Sequence, residues 1–184
     1  MHLTTGRVAG GAVVVAVAAI VAAAASASGR DDPKRLVLAR ADLPAGAVLV
    51  TKETGPAAAL ASILVDAPGR TLFRSSHRYQ AGYRVGAKDV FSAAFVFRSA
   101  AQARSAFTRA ADSLPGVYRQ VTLPRLGDAQ VTTFTIADAY EHRFVVRRGA
   151  VVWQLDVLDW SAGSRTRFTA EAAALARKQR ARVG

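Results

Sequence analysis

The chain has 184 residues, the length of one domain, and 51% of them are hydrophobic, which excludes wholesale disorder. Cysteine is absent, which excludes disulfides, thiolate metal centres and a cysteine nucleophile. Lys and Arg number 25 against 13 Asp and Glu, so the formal charge is +12 and an anionic partner has to be weighed.

The chain opens with Met1–Arg7, short and basic, then an uncharged Val, Ala, Gly and Ile run over residues 8–25. Ala25-Ser26-Ala27 follows, which satisfies the A-x-A rule for signal cleavage. The run is just short of a full span and rich in alanine, so residues 1–27 read as a signal peptide or, if uncleaved, a membrane anchor through residues 8–25. Either way Arg7 stays inside and the body is exported. Residues 28–35 read as a polar linker with Pro33, and residues 36–184 as one extracytoplasmic domain.

Leu36–Ala39 starts the ordered region as a short helix or strand. Asp42–Gly46 is a turn, because proline presets φ and glycine accepts positive φ. Ala47–Lys52 reads as a strand, and Pro56–Asp66 as a short helix that Pro68-Gly69 ends, followed by a basic connection over Arg70–Ser76. Arg78–Val85 is a strand. Val90–Arg98 is apolar on both faces, the mark of a central strand covered on each side.

Ser99–Leu114 reads as a helix, with Ser99 and Gln102 in capping-box positions and a stripe of Ala103, Phe107, Ala110 and Leu114. Pro115-Gly116 stops it. Val117–Leu123 and Val131–Ile136 read as strands around a Leu126-Gly127-Asp128 turn. His142–Arg147 and Ala150–Leu158 form a hairpin in which His142, Phe144 and Val146 oppose Leu155, Trp153 and Val151. Thr166–Val183 is a final helix with Phe168, Ala172 and Leu175 inward and a cationic last turn that suits the helix dipole.

The expected fold is α+β: an antiparallel β-sheet with a mid-chain helix and a C-terminal helix packed on one face, preceded by the hydrophobic signal or anchor helix. Phe95, Phe97, Phe107, Phe144, Trp153 and Leu175 are expected to share one core.

Catalytic sets are hard to assemble. His77 lies in a basic loop and His142 on a strand beside Glu141, and no G-x-S-x-G elbow occurs. Asp156 and Asp159 fall on opposite faces of a strand, so they do not converge as a carboxylate pair. No metal spacing or phosphate loop is visible, and no catalytic, cofactor or metal residue is expected. Tyr79, Tyr83, Phe91, Phe95, Trp153 and Trp160 are either plain core or the lining of an apolar pocket.

The cations fall into two groups, Arg143 with Arg147, and Arg177, Lys178, Arg180 and Arg182. Arg143 and Arg147 lie four apart on one strand, opposite Phe144 and Val146, which predicts an exposed cationic face. These six residues are the expected contacts with an anionic lipid or cell-wall polymer, against the alternative that the arginines reflect compositional bias. Another envelope protein is the remaining partner class. Nucleic acid is not expected, because the body is exported and carries no helix-turn-helix, zinc finger or RNP motif.

Two families resemble parts of the chain. Leu36–Lys52, reading LVLARADLPAGAVLVTK, resembles the opening of the SAF-type domain of pilus-assembly proteins, which implies a strand–turn–strand and a secretion-assembly module. More of the chain is similar to exported actinobacterial proteins of unknown function. The matching segments are Asp42–Gly46, Gly82-Tyr83, Val96–Ser99, Ala103–Phe107, Leu126–Asp128, Val145–Val152 and Leu175–Arg182. Their element order resembles PsbP-like and mycobacterial sensor-type α+β folds. That resemblance implies a non-catalytic, extracytoplasmic binding or sensor-like domain, with a secreted hydrolase as the remote alternative.

Overall fold

The run apolar on both faces lies in mid-sheet. In the computed structural model β3 (Lys88–Val96) pairs antiparallel with β2 (His77–Val85) on one side and β7 (Val151–Asp159) on the other. The structure describes residues 32–54, 66–114, 119–136, 139–161 and 163–184. The leader, the expected helix from Pro56 and the Pro115-Gly116 stop lie outside them. Among the described residues no helix is long and apolar enough to cross a membrane.

The remaining strands are β1 (Val48–Thr54), β4 (Arg119–Gln120), β5 (Ala129–Ile136) and β6 (Tyr140–Arg148). The seven run in the order β1-β2-β3-β7-β6-β5-β4, with antiparallel pairs throughout. Of the described part of the strand expected over Val117–Leu123, β4 keeps Arg119 and Gln120. β1 is an edge strand that leaves Val48, Leu49 and Val50 exposed.

The helices are α1 (Pro33–Leu36), α2 (Ala67–Arg74), α3 (Ala100–Asp112) and α4 (Arg165–Val183). Helix α1 takes up residues 33–35 of the expected linker, because the Asp32 carboxylate accepts from Lys34 N and caps it. Pro68-Gly69 begins a helix instead of ending one. Asp66 caps α2 by accepting from Gly69 N at 2.8 Å, Pro68 supplies a helical φ in the first turn, and Phe73 is buried.

Helices α3 and α4 pack on opposite faces of the sheet, which corrects the expectation of one face. Phe73 of α2 and Ala103, Ala106 and Ala110 of α3 cover Ala93, Phe95, Phe97, Val145 and Val152. Leu36 of α1 and Phe168, Ala172 and Ala176 of α4 cover Val90, Ala94, Phe144, Val146, Trp153 and Leu155. The six residues expected to form one core are therefore split. Phe95, Phe97 and the half-buried Phe107 of α3 lie on one side of the sheet, whereas Phe144, Trp153 and the half-buried Leu175 of α4 lie on the other. The edge-to-face contacts of Phe73 with Phe95 (4.9 Å) and Phe97 (5.6 Å) join α2 to the α3 side.

The β6–β7 hairpin forms, shifted by two residues from the expected register: Phe144 faces Leu155 and Val146 faces Trp153. The loop is Gly149-Ala150, with Gly149 at φ +55°, where a two-residue hairpin requires positive φ. A shift of two keeps every side chain on its expected face.

Candidate functional site

Helix α4 carries its side chains in three stripes. Phe168, Ala172, Ala176 and Gln179 recur at i, i+4, i+8 and i+11 and face the sheet, fully or nearly fully buried. Gln179 is polar and fully buried. Its Nε2 donates to the carbonyls of Ala93 (3.2 Å) and Gln154 (3.5 Å), and its Oε1 accepts from Ser92 Oγ at 3.0 Å. Ser92 Oγ in turn accepts from Leu38 N at 2.9 Å, so one polar chain ties α4, β3, β7 and the segment after α1.

The second stripe, Arg167, Glu171, Ala174, Leu175 and Lys178, forms one wall of a half-open groove of about 560 Å³. Val85, Val90 and Val157 of the sheet give it an apolar floor, and Pro44 and Ser161 stand at its ends. That volume lies within the range of small-molecule sites. At one lip Lys88 Nζ contacts Glu171 and lies 3.7 Å from Asp159 Oδ2, while Arg167 Nε donates to Glu171 Oε1 at 2.9 Å. Lys88 first, then Arg167, hold the Glu171 carboxyl below the usual carboxylate range. Burial works against ionisation of Asp159, but the Ser161 hydroxyl and amide and Lys88 outweigh it and hold that carboxyl low too. Two cations therefore meet two carboxylates at this lip. At the far end Lys178 Nζ donates at 2.6 Å to the carbonyl of Asp42, a neutral acceptor. The Asp42 carboxylate is taken by Ala39 N (2.7 Å) and Arg182 Nε (2.6 Å).

The third stripe lines a second groove of about 640 Å³ on the other flank of α4, where Arg165, Thr169, Ala173 and Arg177 face Val121, Leu123 and Pro124. Arg165 stacks over the Phe134 ring, 4.4 Å from its centroid.

The six cations chosen from sequence divide in two. Arg143 and Arg147 are not on an exposed face. Their side chains are only 11% and 12% exposed, because α3 covers that side of β6. Arg143 donates to Asp156, opposite it on β7, at 2.9 Å, and pairs with Glu141 at 3.0 Å, while Arg147 pairs with Asp128 at 3.0 Å. Burial pushes the Asp156 carboxyl up to about 6, against the pull of Arg143 and with the push of Glu141. Arg177, Lys178, Arg180 and Arg182 do come together on the last turns of α4. Arg182 is spent on Asp42. Arg177, Lys178 and Arg180 stand exposed without a carboxylate partner among the described residues.

The aromatic set does not form one pocket. Phe95 and Phe91 lie on the α3 side, and Tyr83 and Trp153 on the α4 side. Trp160 is half-exposed and donates its Nε1 to Asp89 Oδ2 at 3.0 Å. His142 is buried among Phe134, Phe144 and Phe168, with its Nε2 2.8 Å from Thr169 Oγ1, and burial brings its pKa to about 4. Leu36–Lys52 is not the strand–turn–strand that the SAF resemblance implies. Its first half is the end of α1, an extended stretch over residues 37–39 and a 3-10 turn over Arg40–Asp42, and Leu36, Val37, Leu38 and Leu43 enter the core. The groove escaped sequence reasoning because its residues come from four separate segments. The only signal available was the spacing of Arg167, Glu171, Leu175 and Lys178 along one helix.

No protein-family model and no curated protein matches the chain. Its fold is shared with a solved structure, the extracellular domain of PknH from Mycobacterium tuberculosis. The TM-score is 0.55 at 11% identity, over 83% of this chain and 96% of that one.

Proposed function

We propose that the chain is an extracytoplasmic, sensor-like domain of the cell envelope that binds a ligand in the groove beside α4 and catalyses no reaction. The observation that carries this reading is the groove itself, an apolar floor with charged lips on a fold shared with the extracellular domain of PknH. The leader agrees with it. Treating intact cells with protease tests the location: the body is expected to be digested without lysis, and digestion only after lysis would overturn it. Sequencing the N-terminus of the mature product separates cleavage after Ala27 from anchoring through residues 8–25.

A second reading concerns the surface. Arg177, Lys178 and Arg180 project from α4 without carboxylate partners among the described residues and favour weak contact with anionic lipid or cell-wall polymer. Exposed charges are screened beyond about 8 Å at physiological salt. Vesicles containing anionic lipid should therefore co-sediment residues 28–184 at low salt and release them at high salt. Binding indifferent to salt, or none at low salt, would remove this reading.

A further inference from the structure

We infer that the α4 groove takes a long-chain carboxylate, with the head on Lys178 and the acyl chain laid along Val85, Val90, Val157 and Leu175. This rests on the reading of that groove as the binding site. The groove is asymmetric in charge. At the Lys88 end, Lys88 and Arg167 are balanced by Glu171 and Asp159, so that lip attracts no net charge. At the Lys178 end the only partner of the ammonium among the described residues is the backbone carbonyl of Asp42, whose own carboxylate is engaged by Arg182 and Ala39 N. An ammonium is a compact point charge with three donors, so Lys178 keeps hydrogen-bonding capacity for an anion. A single lysine suits a monoanion, whereas a phosphate dianion is better met by a fork of arginines. Between the two ends the floor is apolar, and Val90 and Val157 are held rigid in mid-sheet, 2% and 1% exposed. An apolar strip with one unbalanced cation at its end complements a single-tailed acid.

The test uses the protein as its cells make it, cell-bound or released, and a palmitic acid carrying a diazirine on its tail, with the cross-linked segments mapped after proteolysis. Cross-links are expected on the segments holding Val85–Val90 and Leu175. Lys178→Glu should lower that labelling at least fivefold, and Arg180→Glu, a reversal on the same helix outside the groove, should leave it unchanged. The matching diazirine alcohol should label the groove at least fivefold less than the acid. If the alcohol labels equally, or Lys178→Glu has no effect, the headgroup inference is overturned while the groove survives as a binding site. If neither probe labels the groove, the inference falls together with the choice of site, and the protease test of location still stands by itself.

Discussion

Gln179 shows what one buried polar side chain does in α4. Its amide is satisfied by two carbonyls and a serine hydroxyl, so truncation would remove these three bonds from a buried site. Gln179→Ala is expected to cost about 1–3 kcal/mol, read from the urea unfolding midpoint. His142 lies on the same side of the sheet and holds a neutral ring in the fold. The unfolded chain takes up that proton near pH 6.5, the folded one only near pH 4, so stability falls as pH drops through this window. Asp156 acts in the opposite sense. Its folded pKa of about 6 exceeds the ordinary 3.8, so the fold binds that proton first and gains as pH falls between them. Comparing unfolding free energies of the wild type and His142→Leu from pH 7 to pH 4 isolates the histidine. The wild type should lose ground to the variant on acidification, and parallel curves would show that His142 is not the group.

At the scale of elements, turns and caps decide the outcome. Gly149 sits at φ +55° with open space around its α-carbon, so Gly149→Ala tests conformation alone. It should cost about 1–2 kcal/mol through the left-handed backbone penalty, measured by thermal or urea unfolding. Asp66 begins α2 and also accepts from Arg109 of α3 at 2.6 Å, so it joins two helices. Asp66→Ala should remove about 1 kcal/mol as a lost cap, while Asp66→Asn should retain most of the capping bond and lose only the exposed ion pair.

Across the whole molecule, a sheet covered on both sides divides the apolar burial. Trp153 is fully enclosed beneath α4, so Trp153→Ala is expected to cost about 3–5 kcal/mol. Phe107 only flanks the cluster beneath α3, where the alanines of the helix make the close contact, so Phe107→Ala should cost clearly less. Parallel urea titrations of the two variants decide this, and equal losses would contradict the assignment of faces. The cations divide by the same geometry: Arg143 and Arg147 between sheet and α3 meet carboxylates, as Arg182 meets Asp42, and Arg177 and Arg180 on the outer turns of α4 meet solvent.

Much was decided locally and was therefore legible. The double-sided apolar run of β3, the Ser99 cap of α3, the hairpin with its glycine and the cationic end of α4 each follow from backbone preference and side-chain period over a few residues. The faces of the helices were not legible. β3 is apolar on both sides, so an amphipathic helix is satisfied equally well by either, and only the path of the chain between elements chose. The Pro68-Gly69 pair reads as a stop until Asp66 is seen capping the turn that begins there. The pairing of Arg143 and Arg147 was fixed by position in the fold, since Asp156 reaches one from β7 and Asp128 the other from the turn before β5. The groove is the furthest from sequence of all. It exists because Pro44, the β2–β3 end of the sheet and one stripe of α4 converge, and such convergence is a property of packing that no local pattern contains.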